Sequence, residues 1–317
     1  MYDKPLFSII IPTYNRPDRL RDCLASVSGL DYPTDRFELI VVDDGSPQDL
    51  RAVVDLFEDQ FSLRFLRQEN AGPATARNHG ARHAQGIYLV FTDDDCRFAP
   101  DWLSQMEVEM ARTPDYLLGG RTVNVLKDNI YSATSQFLVD IVYEHFNQNP
   151  DDGRFFASNN VVLPADIYRE IGGFPDYFPC AGGEDRELCD RWLWKGYKMR
   201  YVPEAVIYHA HHLSLTKFCR QHFNYGIGAF YFHQVRKERQ SGTMVQEMNF
   251  HTNLNNWLFA PFVRKEKRSV AMFFLLMLWQ VANLVGFLWA AYHTKKTSPA
   301  PAIPDNFGAV NRQSHVQ

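Results

Sequence analysis

No two of the five cysteines, Cys23, Cys96, Cys180, Cys189 and Cys219, stand in a C-x-x-C relation, and their number is odd. That excludes a zinc ribbon and a disulfide framework, and it suits a reducing compartment. Charge of one sign is equally scarce. A formal net charge of −4 and a pI near 6.3 offer no field for a nucleic-acid backbone, so no nucleic acid is expected as a partner. The opening residues reach an apolar run at Leu6 with no long h-region and no cleavage site, so the bulk of the chain is expected to face the cytoplasm. Internal repeats are absent. No P-loop sequence occurs and no G-x-G-x-x-G follows a strand, which removes the P-loop nucleotidase and dinucleotide readings. What is present is globular: 317 residues, 45% hydrophobic and 22% charged, enough for one large α/β domain with appendages or two small domains.

The first 125 residues alternate short apolar runs with helix-like segments. LFSIII (6–11), FELIVV (37–42), LRFL (63–66) and IYLVF (87–91) are apolar on both faces and read as central strands of a parallel sheet. PDRLRDCLASV, PQDLRAVVDLFEDQF and PATARNHGARHA lie between them with helical spacing and proline near their starts. Ser46 is expected to cap a helix begun at Pro47. Such a β-α alternation makes a doubly wound sheet, whose ligands bind beyond the carboxyl ends of the strands. Those ends here read PTYN (12–15), DDGS (43–46), QENAGPATARN (68–78) and DDD (93–95).

Asp93, Asp94 and Asp95 in a row repel one another at neutral pH, so a cation is expected beside them. Oxygen-only ligands suit Mg²⁺ or Mn²⁺, whose shells are commonly completed by substrate phosphates. From about residue 126 the pattern becomes irregular. The block 155–212 reads as a strand, a short helix after Pro164, a glycine loop at Gly182-Gly183 and a helix starting near Glu184. The segment 215–239, aromatic on one side and basic at its end, is either a surface helix on a membrane or a helix packed on the preceding domain. Val270 to Tyr292 carries no charge, follows RKEKR (264–268) and is long enough to cross a bilayer core. Gln280 and Asn283 within it leave a buried core helix as the other reading. The expected organisation is therefore a domain over 1–212 with halves at 1–125 and 126–212, a helical region over 213–268, a membrane helix over 269–293 and a disordered tail over 294–317.

The stretches SIIIPTYNRPDRLRDCLASV, ELIVVDDGS, NAGPATARNHGARHAQGIYLVFTDDD and GGEDRELCDRWLWKGYKMRYVPEAVIYH, in this order over residues 5 to 210, resemble a family 2 glycosyltransferase. The resemblance implies the GT-A fold, a mostly parallel sheet flanked by helices. It implies an inverting transfer of a sugar from a nucleoside-diphosphate sugar (UDP-, GDP- or dTDP-linked) to a hydroxyl of a glycan or lipid-linked acceptor. By the same resemblance Pro12, Thr13, Tyr14, Asp44, Arg77 and Asp94 bind the nucleotide, Asp93, Asp95 and His209 hold the Mn²⁺ or Mg²⁺, and Asp185 is the general base. Glu184, Arg191 and Trp192 fall to the acceptor, and a membrane-bound enzyme of cell-surface polysaccharide or glycolipid synthesis is implied, its lipid partner included. A helix N-terminus lowers the pKa of an acid placed on it, so Asp185 serves as base only where burial or Glu184 raises it. The run LCDRW lacks the Q-x-x-R-W of processive synthases, which favours transfer of a single sugar. Two other readings remain. A nucleotidyltransferase of similar fold would carry a glycine-rich basic loop after the first strand, where this chain has PTYNRP; a noncatalytic membrane scaffold would need no base.

Overall fold

In the computed structural model, residues 4–244 and 250–294 are described; the expected tail from 295 onward lies outside them. The strands are β1 (Phe7–Thr13), β2 (Phe37–Asp43), β3 (Ser62–Arg67), β4 (Tyr88–Phe91), β5 (Cys96–Phe98), β6 (Leu117–Asn124), β7 (Val161–Pro164) and β8 (Met199–His209). They form one sheet of order β3-β2-β1-β4-β7-β6-β8-β5. Its β3-β2-β1-β4 side is parallel, β7 runs antiparallel to β4 and β6, β8 is parallel to β6, and β5 closes the edge antiparallel to β8.

The helices are α1 (Pro17–Ser28), α2 (Arg51–Val54), α3 (Pro73–His83), α4 (Trp102–Arg112), α5 (Ile130–Phe146), α6 (Ala165–Ile171), α7 (Glu184–Trp194), α8 (Leu215–Arg239), α9 (Leu254–Trp257), α10 (Ala260–Val263) and α11 (Ser269–Thr294). Every residue of β1 and β2 is buried because helices cover both faces of the sheet. One core joins these strands to α1 and α4; a second, on the other face, joins them to α3, α6 and α7. The chain leaves β1 towards β2 on one side and returns to β4 on the other. A crevice therefore opens at the carboxyl end of β1, the position where doubly wound sheets take their ligands.

Three expectations change. LRFL is not a central strand: β3 is the sheet edge, and its residues are partly exposed. The helix expected from Pro47 shrinks to Arg51–Val54 and a 3₁₀ turn at Asp55–Phe57. Ser46 does not cap it, because the Asp43 carboxylate takes both the Ser46 amide (2.9 Å) and its hydroxyl (2.5 Å). The region read as irregular after residue 126 contains α5, whose N-terminus is capped by Asn129 accepting from the Ser132 amide at 3.0 Å. Phe137, Leu138 and Ile141 of α5 build a third core with Phe218 of α8 and Met272, Leu276 and Trp279 of α11. Helix 215–239 thus packs on the protein along one side.

Candidate active site

The crevice brings the ends of β1 and β4 together, and with them three arginines and three aspartates. Thr13 Oγ1 donates to Asp94 Oδ2 (2.8 Å) and Arg16 Nη1 to Asp94 Oδ1 (3.0 Å). Arg19 Nη1 donates to Asp95 Oδ2 (2.7 Å), and Arg77 Nη2 to Asp93 Oδ1 (2.6 Å). Each carboxylate so has its own cation, which relieves the repulsion built into the triplet. Sequence reasoning foresaw Arg77 and missed Arg16 and Arg19. Their signal was their place at the start of α1, Arg16 just before the helix and Arg19 in its first turn, but only the pairing of β1 with β4 brings that end to the triplet.

The three acids do not titrate alike. Burial raises Asp94 to about 6 even against Arg16. Asp95 suffers burial too, yet the hydrogen bond and charge of His209, with His211 and Arg16, hold it well below the usual carboxylate range. His209 Nε2 lies 3.1 Å from Asp95 Oδ1; burial works against its charge, but that carboxylate raises its pKa. His211 is pushed down to about 4 by burial and by His209.

Asp95, Cys96 and His209 present ligand atoms within 4.8 Å of one another. Asp95 and His209 converge at hydrogen-bonding distance, the arrangement a divalent ion can replace by binding between them. The Cys96 thiol, pushed well above its ordinary pKa by burial, supplies no thiolate. A carboxylate and an imidazole fit Mn²⁺, and Mg²⁺ less closely. Asp93, expected as a third ligand, is turned to Arg77 and completes the charge balance from that side.

Nucleotide-site expectations gather at the same mouth. Pro12 and Thr13 are buried in β1, and Tyr14 is exposed beside them. Asn15 takes a left-handed φ of 54°, its amide held by Ser46 Oγ at 2.7 Å, so Ser46 ties the β1 and β2 loops together. Asp44 is buried and accepts from Gln68 Nε2 (2.8 Å), Ala71 N (2.9 Å) and Gly72 N (2.9 Å). It therefore shapes the loop that feeds α3.

Arg77 spans the crevice. Its Nη2 grips Asp93, its Nη1 stands 4.0 Å from Glu184 Oε1, and its plane lies 5.4 Å from the Phe174 ring. Among the described residues its buried Nε and Nη1 have no hydrogen-bond partner, which costs free energy unless a ligand supplies acceptors. Across from it Gly182 (φ 144°) and Gly183 (φ 90°) turn the chain into α7. Glu184 folds back to accept from the Gly182 amide at 2.6 Å, and Asp185 Oδ1 accepts from the Arg186 amide at 2.8 Å. Burial, then the charge of Glu184, raise Asp185 to about 7. A helix N-terminus returns typically 0.3–1 kcal/mol to a carboxylate, under one pKa unit, too little to reverse a shift of this size. Burial and Glu184 therefore outweigh the helix terminus at Asp185.

Arg191 and Trp192 do not face an acceptor. Arg191 is buried, pairs with Glu187 (2.7 Å) and donates to the carbonyls of Ile171 and Gly173. Trp192 is fully buried, its Nε1 donating to the Lys198 carbonyl at 2.9 Å. Both side chains spend their polar atoms holding α7 to α6 and to the β8 approach, so the expectation for them is corrected from acceptor contact to scaffolding.

The family model described as glycosyl transferase family 2 matches residues 8–172, and one described as the N-terminal domain of galactosyltransferase matches residues 140–213. The chain is 26% identical over 204 residues to glycosyltransferase AglE of Haloferax volcanii, covering 64% of this chain and 66% of that protein. It is 29% identical over 240 residues to a validoxylamine A glucosyltransferase of Streptomyces hygroscopicus, covering 67% and 53%. It is 30% identical over 236 residues to a chondroitin synthase of Escherichia coli, covering 64% and 34%. The chain thus spans from a third to just under two-thirds of these relatives' lengths. In fold it is similar to the mannosyltransferase PcManGT of Pyrobaculum calidifontis in complex with GDP-Man and Mn²⁺, with TM-score 0.68, 18% identity, and coverage of 91% and 88%. S. aureus TarS 1-349 in complex with UDP-GlcNAc aligns with TM-score 0.52 at 15% identity, covering 92% and 91%. The expected GT-A architecture is the one observed.

Proposed function

Since this chain belongs to glycosyl transferase family 2, we propose that it moves one sugar from a nucleoside-diphosphate sugar to an acceptor hydroxyl, inverting the anomeric centre, in the assembly of a cell-surface polysaccharide or glycolipid. The observation that carries this reading is the pair of opposed centres: aspartates matched to arginines on one side of Arg77, and an acid raised to about 7 on the other. Asp95 and His209 would hold a Mn²⁺ or Mg²⁺, which when bound supplies Lewis acidity to the leaving diphosphate. Arg77 turns its unpartnered Nε and Nη1 to the diphosphate oxygens, and Pro12, Thr13, Tyr14, Asp44 and Asp94 shape the nucleotide pocket. Asp185 takes the proton from the acceptor hydroxyl as that oxygen attacks the anomeric carbon, a role served by a pKa near the working pH. Glu184, held by Gly182, keeps Asp185 in its raised state and borders the acceptor.

Relatives named as chondroitin synthase support a glycan as the product, and those two structures, bound to GDP-Man and UDP-GlcNAc, support a nucleotide-sugar donor. Helix α11 turns Val270, Phe274, Met277, Val281, Leu284, Leu288 and Trp289 outward, and its 26 residues, about 39 Å at 1.5 Å each, exceed a bilayer core of ~30 Å. With Arg264, Lys265, Lys267 and Arg268 before it, this face rests in the membrane while the catalytic domain stays in the cytoplasm. The test is incubation with UDP-, GDP- and dTDP-sugars, Mn²⁺ and a membrane glycan extract, reading products. Release of nucleoside diphosphate from one donor is the expected result. In a parallel incubation with a nucleoside triphosphate and a sugar 1-phosphate, release of inorganic pyrophosphate would assign a nucleotidyltransferase, and binding without turnover in either would assign a scaffold.

A further inference from the structure

Helix α8 makes contacts that its place outside the catalytic half does not require. At Gly228 its bare backbone lies against the Gly182-Gly183 turn, with 3.0 Å between the Gly228 carbonyl carbon and the point a Cβ of residue 183 would occupy. A Cβ added at Gly228 would overlap the Gly182 carbonyl oxygen. About two to three turns further on, Arg239 Nη1 pairs with Glu187 (2.6 Å), and Arg236 Nε with Asp190 (3.0 Å), fastening α8 along α7. Behind α8 there is no room to recoil. A Cβ at Gly226 would overlap the Asn283 carbonyl of α11, and one at Gly286 of α11 would overlap the Phe223 carbonyl of α8. So α8 is wedged, backbone to backbone, between α11 and the turn that presents Glu184 and Asp185.

We propose that Gly228 is a positioning residue for proton abstraction: by letting the α8 backbone touch the Gly182-Gly183 turn, it sets the direction in which Asp185 leaves the start of α7. This rests on the reading of Asp185 as the base. An added methyl at 228 leaves α8 itself intact, since alanine favours a helix over glycine by about 1 kcal/mol. With α11 blocking retreat, the strain passes to the turn, whose two glycines are held by the Gly182 amide on Glu184, the Glu187 amide on the Gly183 carbonyl and Cys180 Sγ on the Asn224 carbonyl of α8. Displacing the turn by about 1 Å misaligns the base, an error that costs on the order of 10²-fold in rate.

The test is Gly228→Ala in the full chain, with nucleoside diphosphate release read against pH, and UDP and GDP binding with Mn²⁺ measured separately. The expected result is a fall in kcat of about 10²-fold with nucleotide affinity unchanged, and faster amide exchange in the peptide 180–186. The acid limb of kcat moves to lower pH, because an opened turn relieves the burial of Asp185. The groups facing Asp185 are Glu184, Arg186 and Cys189 on its own helix, Arg77 on α3, Tyr143 on α5 and Tyr225 on α8; of these only the α8 contact is altered directly. Gly86→Ala, which crowds the backbone of Phe7 and Ser8 at the amino ends of β1 and β4, the far end of the sheet from Asp185, serves as a comparison for backbone crowding alone. Parent-like kcat in Gly228→Ala, or a loss matched by Gly86→Ala without movement of the acid limb, overturns the proposal. Where Gly228→Ala does not fold, exchange in the parent decides: the turn 180–186 and the α8 stretch 222–232 are expected to open as one unit, and independent opening overturns the proposal. Asp185→Asn transferring at the parent rate would remove the base itself, a failure distinct from that of Gly228.

Discussion

Asp95 and Asp185 are both enclosed acids on opposite walls of one crevice, and burial works on both to favour the neutral form. They end in opposite states because of what surrounds them. Asp95 lies between Arg19 at 2.7 Å and His209 at 3.1 Å, with Arg16 at 3.8 Å, and its pKa falls. Asp185 meets Glu184 of like charge, while Arg77, the nearest counter-charge across the crevice, is committed to Asp93, and its pKa rises to about 7. The same side chain is made a permanent anion on one wall and a titrating group on the other. That contrast separates holding a charged donor from moving a proton, and it gives each substitution its own signature.

The largest effect is expected at Asp95. Asp95→Asn keeps the shape and removes the charge on which a divalent ion depends, so Mn²⁺-dependent nucleotide binding and transfer should both vanish. Isothermal titration of UDP and GDP with Mn²⁺ checks this; affinity equal to that of the parent would dissolve the difference between the walls. Next is Asp185→Asn, which removes proton acceptance only. Transfer should fall by roughly 10²–10⁴ with nucleotide binding kept. In the parent, kcat should drop about tenfold per pH unit below about 7, the value to which Asp185 is raised. If Glu184→Gln is dead and Asp185→Asn is active, the two acids exchange roles.

How much of this was legible in the chain follows the range of the signal. β1, β2 and β4 are continuous apolar runs, and α8 begins and ends where the helical pattern from Leu215 to Arg239 does, because such patterns are local. The start of α7 at Glu184 was marked by Gly182-Gly183 and the acids after them. What escaped depended on distant neighbours. Arg16 and Arg19 reach the triplet only because β4 lies beside β1. The helix expected at Pro47 failed because Asp43 engages Ser46 first. Arg191 and Trp192 matched a pattern, but whether their polar atoms face a ligand or the carbonyls of Ile171, Gly173 and Lys198 is a matter of packing. Glycines 226, 228 and 286 gave no sign in sequence of the backbone contacts they permit.

The smallest expected effect separates the two walls by sign. A group whose pKa is raised on folding binds its proton more tightly in the native state, so its ionisation lowers stability as pH rises. For Asp185 the penalty begins above its unfolded value near 3.8 and is complete above about 7. Asn at 185 is neutral at every pH and still accepts from the Arg186 amide through its side-chain oxygen. Asp185→Asn should therefore be more stable than the parent at pH 8. Three pKa units, already net of the attraction to Arg77 and Arg186, set a ceiling of ~4 kcal/mol; solvent screening of this partly exposed side chain reduces the gain to on the order of 1 kcal/mol, a rise in Tm of roughly 2–4 °C. The gain should shrink as pH falls through 7 and disappear towards pH 4. Asp95 has a depressed pKa, so its ionised form stabilises the fold at any pH above the unfolded value, and that contribution is lost only as pH falls towards the depressed folded value. Asp95→Asn should then lower Tm at pH 8, where Asp185→Asn raises it. Thermal scans of both variants at pH 5 and 8 measure the two signs together, and a fall in both at pH 8 would mean that Asp185 is ionised without cost and that the two walls do not differ in the way described.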